Sequence, residues 1–477
     1  MVVAETGSEA TEASMMVGDE AEDYENKARK TSSKQDPPDH SNEEEDKPLL
    51  GDKPTVHWSR RWCMMLLFSI NYVINIALFV SYIPIGTRMS EYYNQPQYVF
   101  DWVQNGHFIF YVLFGIPAVF LLHLKGIRLS LIVASSLNAV ASCLRLAGSY
   151  PDQFVFVACG QIAAGAGFVM LPHMPAVFAY TLFPEESWTV SLGVAGSLPT
   201  AGCVLAFALS AICSDTADQR LMLVSTRNMY VVYMVLCLFV YIVTVTMYEM
   251  YPLNRRDHCG KVATEEDTKG DDMSIGKFIN YFKTLAGNRS FHVLTQAYAI
   301  YTALAYFIIL NIQRVIKEEQ TSLTDSAISW VWVGFTVIAL PSTATLGFFI
   351  DKAKKIYLAG VLFNLCSVLT YLIFTLVLRY SDSLEAICIV LILHGIVGLP
   401  YIGIGLHQVE MLTAQVPVGI SSAVVLCLSL LYGLIFNGAL GYLVEVGYAV
   451  AVDYAVVGLY AFSTVMAASM NLDVMKN

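Results

Sequence analysis

Two sets of aromatic side chains recur at roughly helical spacing inside segments that are otherwise apolar. They are Tyr72, Phe79 and Tyr82 in one segment, and Tyr298, Tyr301 and Tyr306 in another. The face of an aromatic ring attracts a cation and holds a quaternary ammonium group without a carboxylate partner. Aromatic side chains at this spacing also pack against neighbouring helices or lipid. The pattern therefore offers a cation site, with plain packing as the alternative.

Uncharged amide side chains form the second group that could contact a ligand. They are Asn71, Asn75, Gln161, Gln296, Asn311 and Gln313. An amide in an apolar segment can orient a ligand, or it can join two helices through a hydrogen bond that contributes about 0.6 kcal/mol. Asn75 and Gln161 are the best placed for a ligand, although interhelical bonding explains them equally well.

The composition indicates that a bilayer, rather than water, surrounds most of the chain. Hydrophobic residues make up 56% of the 477 positions and charged residues 14%, whereas soluble domains carry about 25% charged residues. The chain also contains no HExxH or GxSxG motif and no paired aspartates inside its apolar segments. We therefore expect a protein that is not an enzyme and has no cofactor or metal site. No basic stripe indicates nucleic acid as a partner.

Twelve apolar segments free of Asp, Glu, Lys and Arg follow the first 56 residues. Crossing the hydrocarbon core of a bilayer takes about 20 helical residues. The segments are 62–87, 102–124, 129–144, 153–184, 187–214, 228–248, 290–313, 326–350, 356–378, 386–409, 411–444 and 454–472. The pattern predicts an all-α membrane protein of 12 transmembrane helices, six before and six after a polar central loop.

The two groups of six repeat one another in their connections. The turn at 123–128 after the second segment and the turn at 351–355 after the eighth begin 228 residues apart. Pro184 and Pro417, in the connections after the fourth and tenth segments, are 233 residues apart. A shared offset indicates two parallel halves, as transporters often have. We expect an N-terminal six-helix bundle at 57–250, a cytoplasmic linker at 251–289 and a C-terminal six-helix bundle at 290–477.

The distribution of Lys and Arg predicts the orientation in the membrane. With the N-terminus in the cytoplasm, 16 Lys and Arg residues lie on the inner side and 7 on the outer side. Cytoplasmic connections carry the excess of basic residues in membrane proteins. Both termini and the central loop are therefore predicted to be cytoplasmic.

The first 56 residues differ sharply from the rest of the chain. Residues 1–50 hold 14 acidic and 5 basic residues and few large apolar ones, so this segment cannot bury enough surface to fold and is predicted to be disordered. Within it, Glu45, Leu49 and Leu50 form an acidic dileucine pattern of the kind that clathrin adaptors bind. Endolysosomal sorting is one interpretation, and a solvated linker at the plasma membrane is the other.

Several motifs in order along the chain resemble a known family. Twelve spans in two halves, with basic turns after the second and eighth, resemble the major facilitator superfamily. Over about residues 57–470, the chain more closely resembles the family related to the feline leukaemia virus subgroup C receptor. The motifs are Arg60-Arg61-Trp62, Asn75, Asp101-Trp102, Lys125-Gly-Ile-Arg128, Leu137-Asn138, Gly160-Gln161, Tyr298, Tyr306, Asp351, Glu410 and Ser421-Ser422.

This resemblance implies two bundles around a central cavity that opens alternately to each side, with choline or ethanolamine as the solute. The alternatives within the family are a haem or vitamin B6 (pyridoxine) transporter, or a receptor that transports nothing. The implied substrate-binding residues are Phe79, Tyr306, Asn75, Gln161, Phe168, Tyr298 and Gln313. Phe168 and Leu430 stand where the family has glutamines, so the cavity should be more apolar here. For haem, the candidate ligands are His107, His173, His394 and His407.

Four ionisable residues at the ends of spans are expected to control opening: Asp351, His123, Arg128 and Glu410. The carboxylate of Asp351 should cap a neighbouring helix N-terminus or pair with an arginine, which would close one state. Its counterpart in the first half is His123, so that contact should be weaker or sensitive to pH. A solvated turn is the alternative for both. Because no carboxylate is expected at the middle of a span, we predict facilitated transport down a gradient, or coupling through a group other than a buried Asp or Glu.

Overall fold

The computed structural model describes residues 58–214, 219–250, 274–319, 324–353, 355–381 and 383–474. The predicted disordered tail, with Glu45, Leu49 and Leu50, lies outside these residues, as does the part of the predicted linker at 251–273. Throughout the described ranges the regular elements are helices.

The α-helices alternate with short connections, three of which form single 3-10 turns. In chain order the helices are α1 Trp58–Val80, α2 Gly86–Tyr92, α3 Gln97–Ala147, α4 Phe154–Phe168, α5 Met174–Leu182, α6 Trp188–Ser197, α7 Ala201–Ser214, α8 Gln219–Met250, α9 Ile275–Gly287, α10 Arg289–Glu319, α11 Asp325–Ala353, α12 Ile356–Tyr380, α13 Leu384–Leu412, α14 Ile420–Glu445 and α15 Ala449–Val474.

Twelve crossings of the membrane can be traced along these helices. Ten helical stretches are long and apolar enough to cross by length and composition. One of them, the 51-residue α3, counts twice because its backbone leaves the helical region at Gly126 (φ 81, ψ 172), where the chain reverses. The remaining crossing is α4 with α5, which are separated by a short turn. The prediction of an all-helical protein with twelve spans is confirmed.

The interrupted fourth span follows from its sequence. Pro172 and Pro175 stand at the break between α4 and α5, and proline has no N–H to continue the helical ladder. A break inside a membrane is tolerated where protein, rather than lipid, surrounds it. The residues around this break are buried, which meets that condition.

The helices pack into two groups of six spans. In the first group α3 packs against α4 and α8, and α1 packs against α7. In the second group α10 packs against α14 and α15, and α13 packs against α11 and α12. Between the groups, α6 contacts α11 and α13, α7 contacts α11, and α3 contacts α14.

The outward faces of the spans are apolar, as lipid requires. Val155, Phe239 and Phe348 are 71%, 63% and 59% exposed, which would be unfavourable for large side chains in water. Lipid imposes no penalty on exposed apolar side chains. It cannot hydrogen-bond to the backbone, and a helix satisfies its backbone N–H and C=O groups within its own segment. The polar side chains are therefore turned inward, where the candidate site lies.

Candidate functional site

A cavity with about 720 Å³ of open space lies between the two groups of helices and is called the central cavity below. Three of its walls come from the first group, namely α1, the break between α4 and α5, and the junction of α6 with α7. The other three come from α10, α13 and α14. Its lining residues are Tyr72, Ile76, Phe79, Val80, Pro172, Pro175, Gly196, Pro199, Thr200, Cys203, Tyr298, Thr302, Ala305, Tyr306, Ile309, Ile402, Leu406 and Leu426.

The central cavity is neutral and rich in aromatic rings. Its lining includes three tyrosines and one phenylalanine, and none of the lining residues is Asp, Glu, Lys, Arg or His. A cavity of this kind cannot hold an ion by a fixed counter-charge. It can hold an organic cation against ring faces, whose quadrupoles attract positive charge.

Phe79 of the first half and Tyr306 of the second half are linked at this cavity by ring contacts through Phe108. The ring of Phe79 packs 4.6 Å from the ring of His107 and 5.5 Å from that of Phe108. Phe108 in turn lies edge-on to Tyr306 of the second half, with ring centroids 5.2 Å apart. Tyr306 is partly exposed, and both predicted aromatic residues line the cavity, Phe79 from α1 and Tyr306 from α10.

Tyr298 is fixed by its hydroxyl group and by a glycine on the facing helix. Its hydroxyl donates a hydrogen bond to the carbonyl oxygen of Ile402 at 3.0 Å. A Cβ atom at Gly405 would lie 2.2 Å from the Tyr298 ring, a distance that no side chain could adopt. Tyr298 therefore presents a ring of fixed orientation to the cavity.

Two predicted substrate contacts, Asn75 and Phe168, lie behind the wall of the central cavity. Asn75 is fully buried and donates hydrogen bonds to Asn138 Oδ1 at 2.7 Å and to the Ala164 carbonyl at 2.9 Å. Phe168 is also fully buried and lies 6.1 Å from the ring of Tyr72. Phe168 packs behind Tyr72 and Phe79, whereas Asn75 joins α1 to α3 and α4, and neither residue lines the cavity. Leu430, the other position where the family has glutamine, is buried outside the lining as well.

Gln161 is held by a buried arginine. Arg145 is fully buried and donates hydrogen bonds to the side chain of Gln161, to Ser81 Oγ at 2.9 Å and to the Leu78 carbonyl at 2.7 Å. Its guanidinium also lies 4.9 Å from the ring centre of Tyr82. The structure thus surrounds this charge with acceptors inside the first half.

The predicted gate residue Asp351 connects the two halves at one end of the central cavity. Its carboxylate accepts hydrogen bonds from the backbone N–H groups of Thr189 at 3.2 Å and Val190 at 3.0 Å. Those N–H groups belong to the first turn of α6, where they have no partner within the helix. The carboxylate thus caps α6 from α11 of the other half. This end, where α9 also lies, is called the α9 end.

Further contacts close the α9 end. The hydroxyl of Tyr180 lies 2.7 Å from His407 Nδ1 in the other half, and Trp188 packs on Tyr180 with ring centroids 4.3 Å apart. Two glycines let α6 and α13 touch, since a Cβ at Gly403 would lie 2.6 Å from the Cα of Gly193. Small residues permit such close approach of membrane helices.

The other predicted gate residues lie near the same end but within single halves. Glu410 is 4% exposed and accepts hydrogen bonds from the Gly419 N–H at 3.1 Å and from Ser422 Oγ at 2.5 Å, so it caps α14 from α13. His123 is half-buried and Arg128 is exposed, on either side of the reversal at Gly126 in α3.

A second set of contacts between the halves lies at the opposite end. Arg314 of α10 pairs with Asp101 of α3 at 2.5 Å. The side chain of Gln313 donates a hydrogen bond to the Pro84 carbonyl at 3.3 Å. These residues border a polar pocket of about 750 Å³ that is separate from the central cavity. The predicted substrate contact Gln313 therefore lies at the end opposite the α9 end, outside the lining of the central cavity. Opposite charges at matching ends of the second and seventh spans are the sequence signal that could have identified the ion pair.

The comparison with known proteins supports a relationship over most of the chain. No model of a known protein family matches it. An uncharacterised MFS-type transporter of Caenorhabditis elegans is 24% identical over 388 residues, which is 81% of this chain and 65% of that protein. The choline/ethanolamine transporter flvcr2b of Danio rerio is 22% identical over 396 residues, 81% of this chain and 79% of that protein. The human choline/ethanolamine transporter FLVCR2 is 20% identical over 395 residues, covering 81% and 72%.

Solved structures share the architecture at lower sequence identity. The outward conformation of the MFS transporter FucP aligns with a TM-score of 0.62 at 15% identity, covering 85% of this chain and 97% of FucP. A bacterial homolog of the human lysosomal transporter Spinster aligns with a TM-score of 0.56 at 14% identity, covering 88% and 97%. The chain is therefore a membrane protein with the fold of the major facilitator superfamily, and it resembles the choline/ethanolamine transporters related to the feline leukaemia virus subgroup C receptor.

Proposed function

We propose that this protein carries a small ammonium compound of the choline or ethanolamine class across a membrane by alternating access. The observation that carries the proposal is the neutral, aromatic central cavity, which is lined by Phe79 of one half and Tyr306 of the other, with Phe108 packed against both rings. The names of the relatives give the solute class, and the cavity supplies chemistry that suits it.

The strength of binding in such a cavity fits a carrier. Each aromatic face contributes about 0.5–2 kcal/mol to holding an organic cation, depending on how dry the site is. No fixed charge among the lining residues adds to this. The solute is therefore held well enough to exclude water and weakly enough to leave when the cavity opens on the other side.

The contacts at the two ends supply the alternation. The cap of α6 by Asp351 holds the α9 end closed, and the Arg314–Asp101 pair holds the opposite end. Both sets are formed in this structure. When one half rocks against the other, one set breaks while the other remains. No carboxylate lines the cavity between them, so we propose transport down the solute gradient without a coupled ion.

We assign the predicted site residues to separate roles. Phe79, Tyr298 and Tyr306 contact the solute. A second group, Asn75, Gln161 and Phe168, fixes the wall behind them, and Gln313 lies at the end opposite the α9 end. Asp351 closes the α9 end, while Glu410 caps α14 and His123 and Arg128 flank the reversal in α3.

Uptake of labelled choline and ethanolamine into vesicles containing the purified protein tests the proposal. Tyr306→Phe keeps the ring and should change the KM less than twofold, whereas Tyr306→Leu should raise it about tenfold, the equivalent of one lost cation–π contact. Phe239→Leu, on the lipid face, is the matched control. Equal KM values for Tyr306→Phe and Tyr306→Leu would contradict the assignment.

The same vesicles test the alternatives within the family. Haem needs an axial ligand such as histidine, and His107 and His173 are fully buried outside the lining of the central cavity. Uptake of haem or pyridoxine in place of the ammonium compounds would replace the proposed solute. Specific binding with no uptake of any of the four compounds would indicate a receptor.

We also propose an orientation and a sorting signal, from the sequence. Both termini face the cytoplasm, with bundles at 57–250 and 290–477, and the dileucine pattern at Leu49 and Leu50 recruits a clathrin adaptor toward endolysosomal membranes. Epitope tags at both ends should become accessible only after permeabilisation. Replacing both leucines with alanine should shift the protein to the plasma membrane. Tags on opposite sides, or an unchanged distribution, would refute the corresponding part.

A further inference from the structure

A second pocket opens from the central cavity into the second half of the protein and is called the side pocket here. It has about 540 Å³ of open space and shares Thr200, Cys203, Ala305, Ile309 and Ile402 with the central cavity. Its own walls are Tyr301, Trp332, Phe335, His394 and Tyr460, with Ile308, Thr336, Gly395, Gly398 and Leu399. A solute in the central cavity can therefore reach a space lined by four aromatic side chains and one imidazole.

The hydrogen bonds around His394 determine which of its ring nitrogens is an acceptor. Its Nδ1 lies 2.9 Å from Thr370 Oγ1. The same hydroxyl lies 2.9 Å from the Cys366 carbonyl and 3.2 Å from the Ser367 carbonyl. Because its single hydrogen is directed to these carbonyls, we infer that its oxygen accepts from Nδ1–H. In a neutral imidazole with Nδ1 protonated, Nε2 carries the lone pair. The ring lines the side pocket, and this lone pair is left for a hydrogen-bond donor.

Trp332 supplies a hydrogen-bond donor, its indole N–H, where His394 supplies an acceptor. Its side chain is 3% exposed and lines the side pocket. Its Nε1–H finds no acceptor among the described residues. Buried N–H groups are nearly always paired because leaving one unpaired costs about 1–3 kcal/mol. The ring itself is fixed, since it stacks on Phe207 at 5.6 Å and meets Phe335 edge-on at 4.9 Å.

We propose that the side pocket is a subsite for an amino alcohol whose ammonium group carries at least one N–H. The ammonium N–H donates to His394 Nε2, the hydroxyl oxygen accepts from Trp332 Nε1–H, and the rings of Tyr301 and Tyr460 face the positive charge. Ethanolamine has both groups, whereas choline has a hydroxyl but no N–H. The side pocket therefore favours ethanolamine over choline. This inference rests on the proposed function, since it concerns the selectivity of that transport.

Three solutes separate the two hydrogen bonds. Ethanolamine has an N–H and a hydroxyl, choline lacks the N–H, and ethylamine lacks the hydroxyl. The KM for uptake of each labelled solute is measured for the wild type and for His394→Phe, His394→Gln and Trp332→Phe. His394→Phe keeps a ring and loses the acceptor, while His394→Gln keeps an acceptor near the position of Nε2. Ratios of KM within one variant do not depend on how much of that variant is folded.

We expect His394→Phe to raise the KM for ethanolamine about tenfold relative to choline, the effect of one hydrogen bond to a charged group. His394→Gln should retain most of the preference. Trp332→Phe should raise the KM for ethanolamine about fivefold relative to ethylamine, while the ratio of ethanolamine to choline stays constant.

Unchanged ratios in both His394→Phe and Trp332→Phe would overturn the side-pocket inference while leaving the proposed function intact, provided that choline uptake still depends on Tyr306. The absence of uptake of all three solutes by the wild type would overturn the proposed function itself.

Discussion

The environment of Gln161 shows that a buried amide in a transmembrane helix can stabilise a buried charge instead of binding the solute. The sequence offered this residue equally as a ligand contact and as a bond between helices. In the structure its side-chain oxygen accepts a hydrogen bond from Arg145. None of the described residues to which Arg145 donates contributes a carboxylate. In lipid such a charge must be surrounded by acceptors. The side-chain oxygen of Gln161 is thus already occupied by a hydrogen bond from Arg145 when no solute is bound.

Removing that acceptor should reduce stability rather than affinity. We expect Gln161→Leu to lower the Tm of the purified protein by roughly 2–5 °C, because a hydrogen bond to a charged group contributes about 1.5–3 kcal/mol. Gln161→Glu supplies a counter-charge and should keep the Tm near that of the wild type. The KM for uptake should stay constant in both. A tenfold rise in KM with an unchanged Tm would show instead that Gln161 contacts the solute.

Aromatic residues at the site could be predicted from the sequence, whereas the roles of the polar ones could not. Phe79, Tyr298 and Tyr306 line the central cavity, and the resemblance to the family singled them out. Tyr82 and Tyr301 share their spacing but lie outside this lining, so spacing alone would not have separated them. Asn75 and Gln161 have the same pattern along the chain, yet their direction depends on partners more than 60 residues away or in another span. Those partners are set by tertiary packing, which spacing along one helix does not encode.

At the scale of helices, the contact between α6 and α13 controls whether the α9 end can close. Gly193 and Gly403 lie so close that a methyl group at Gly403 would be 2.6 Å from the Cα of Gly193. We expect Gly403→Ala to reduce the maximal rate of uptake at least tenfold, because the helices can no longer approach. The uptake rate of each variant is divided by the amount of its monodisperse protein, so that loss of folded protein is not counted as loss of transport.

Gly438 in α14 is the matched control for that substitution. A Cβ there would meet nothing within 4 Å, so Gly438→Ala should transport normally and be slightly more stable, as alanine is favoured over glycine in helices. Normal transport by Gly403→Ala would contradict the role of this contact in closure.

The cap of α6 by Asp351 should set how often the α9 end opens. Losing a capping carboxylate costs about 1 kcal/mol, which changes an equilibrium about fivefold. In a variant that keeps only Cys203, which lines the central cavity, Asp351→Ala should speed alkylation from the α9 end about fivefold. Asp351→Asn retains an acceptor and should change the rate less.

The adjacent exposed residue gives a control for charge alone. Lys352→Ala removes a charge from the same turn without touching α6 and should leave the alkylation rate unchanged. A rate for Asp351→Ala equal to that for Lys352→Ala would show that the cap does not control opening.

The number and type of the helices could be predicted, because twelve long apolar segments allow few other structures in lipid. Two details could not. The turn at 123–128 was predicted, but its form was not: the helices continue almost to Gly126 on both sides, and this one residue with positive φ separates the two spans. The cap on α6 was expected only as one of two uses of Asp351, since the identity of the capped helix depends on how the halves meet.

For the molecule as a whole, the two halves meet at both ends of a neutral cavity. Asp101 and Arg314 join them at one end, and Asp351 joins them at the other. The buried carboxylates nearby are satisfied within the second half, since Asp453 accepts a hydrogen bond from Tyr371 and Glu410 caps α14. Neither faces the central cavity. We therefore propose that the carrier moves its solute in either direction, as the concentration on each side dictates.

Exchange of solute across the membrane tests this account most directly. Vesicles containing the purified protein are loaded with unlabelled choline, and the entry of labelled choline is followed with no ion or pH gradient. The account predicts that internal choline accelerates entry, because the loaded carrier returns its cavity to the outside. Entry that requires an imposed proton or sodium gradient, or that internal choline does not accelerate, would contradict it.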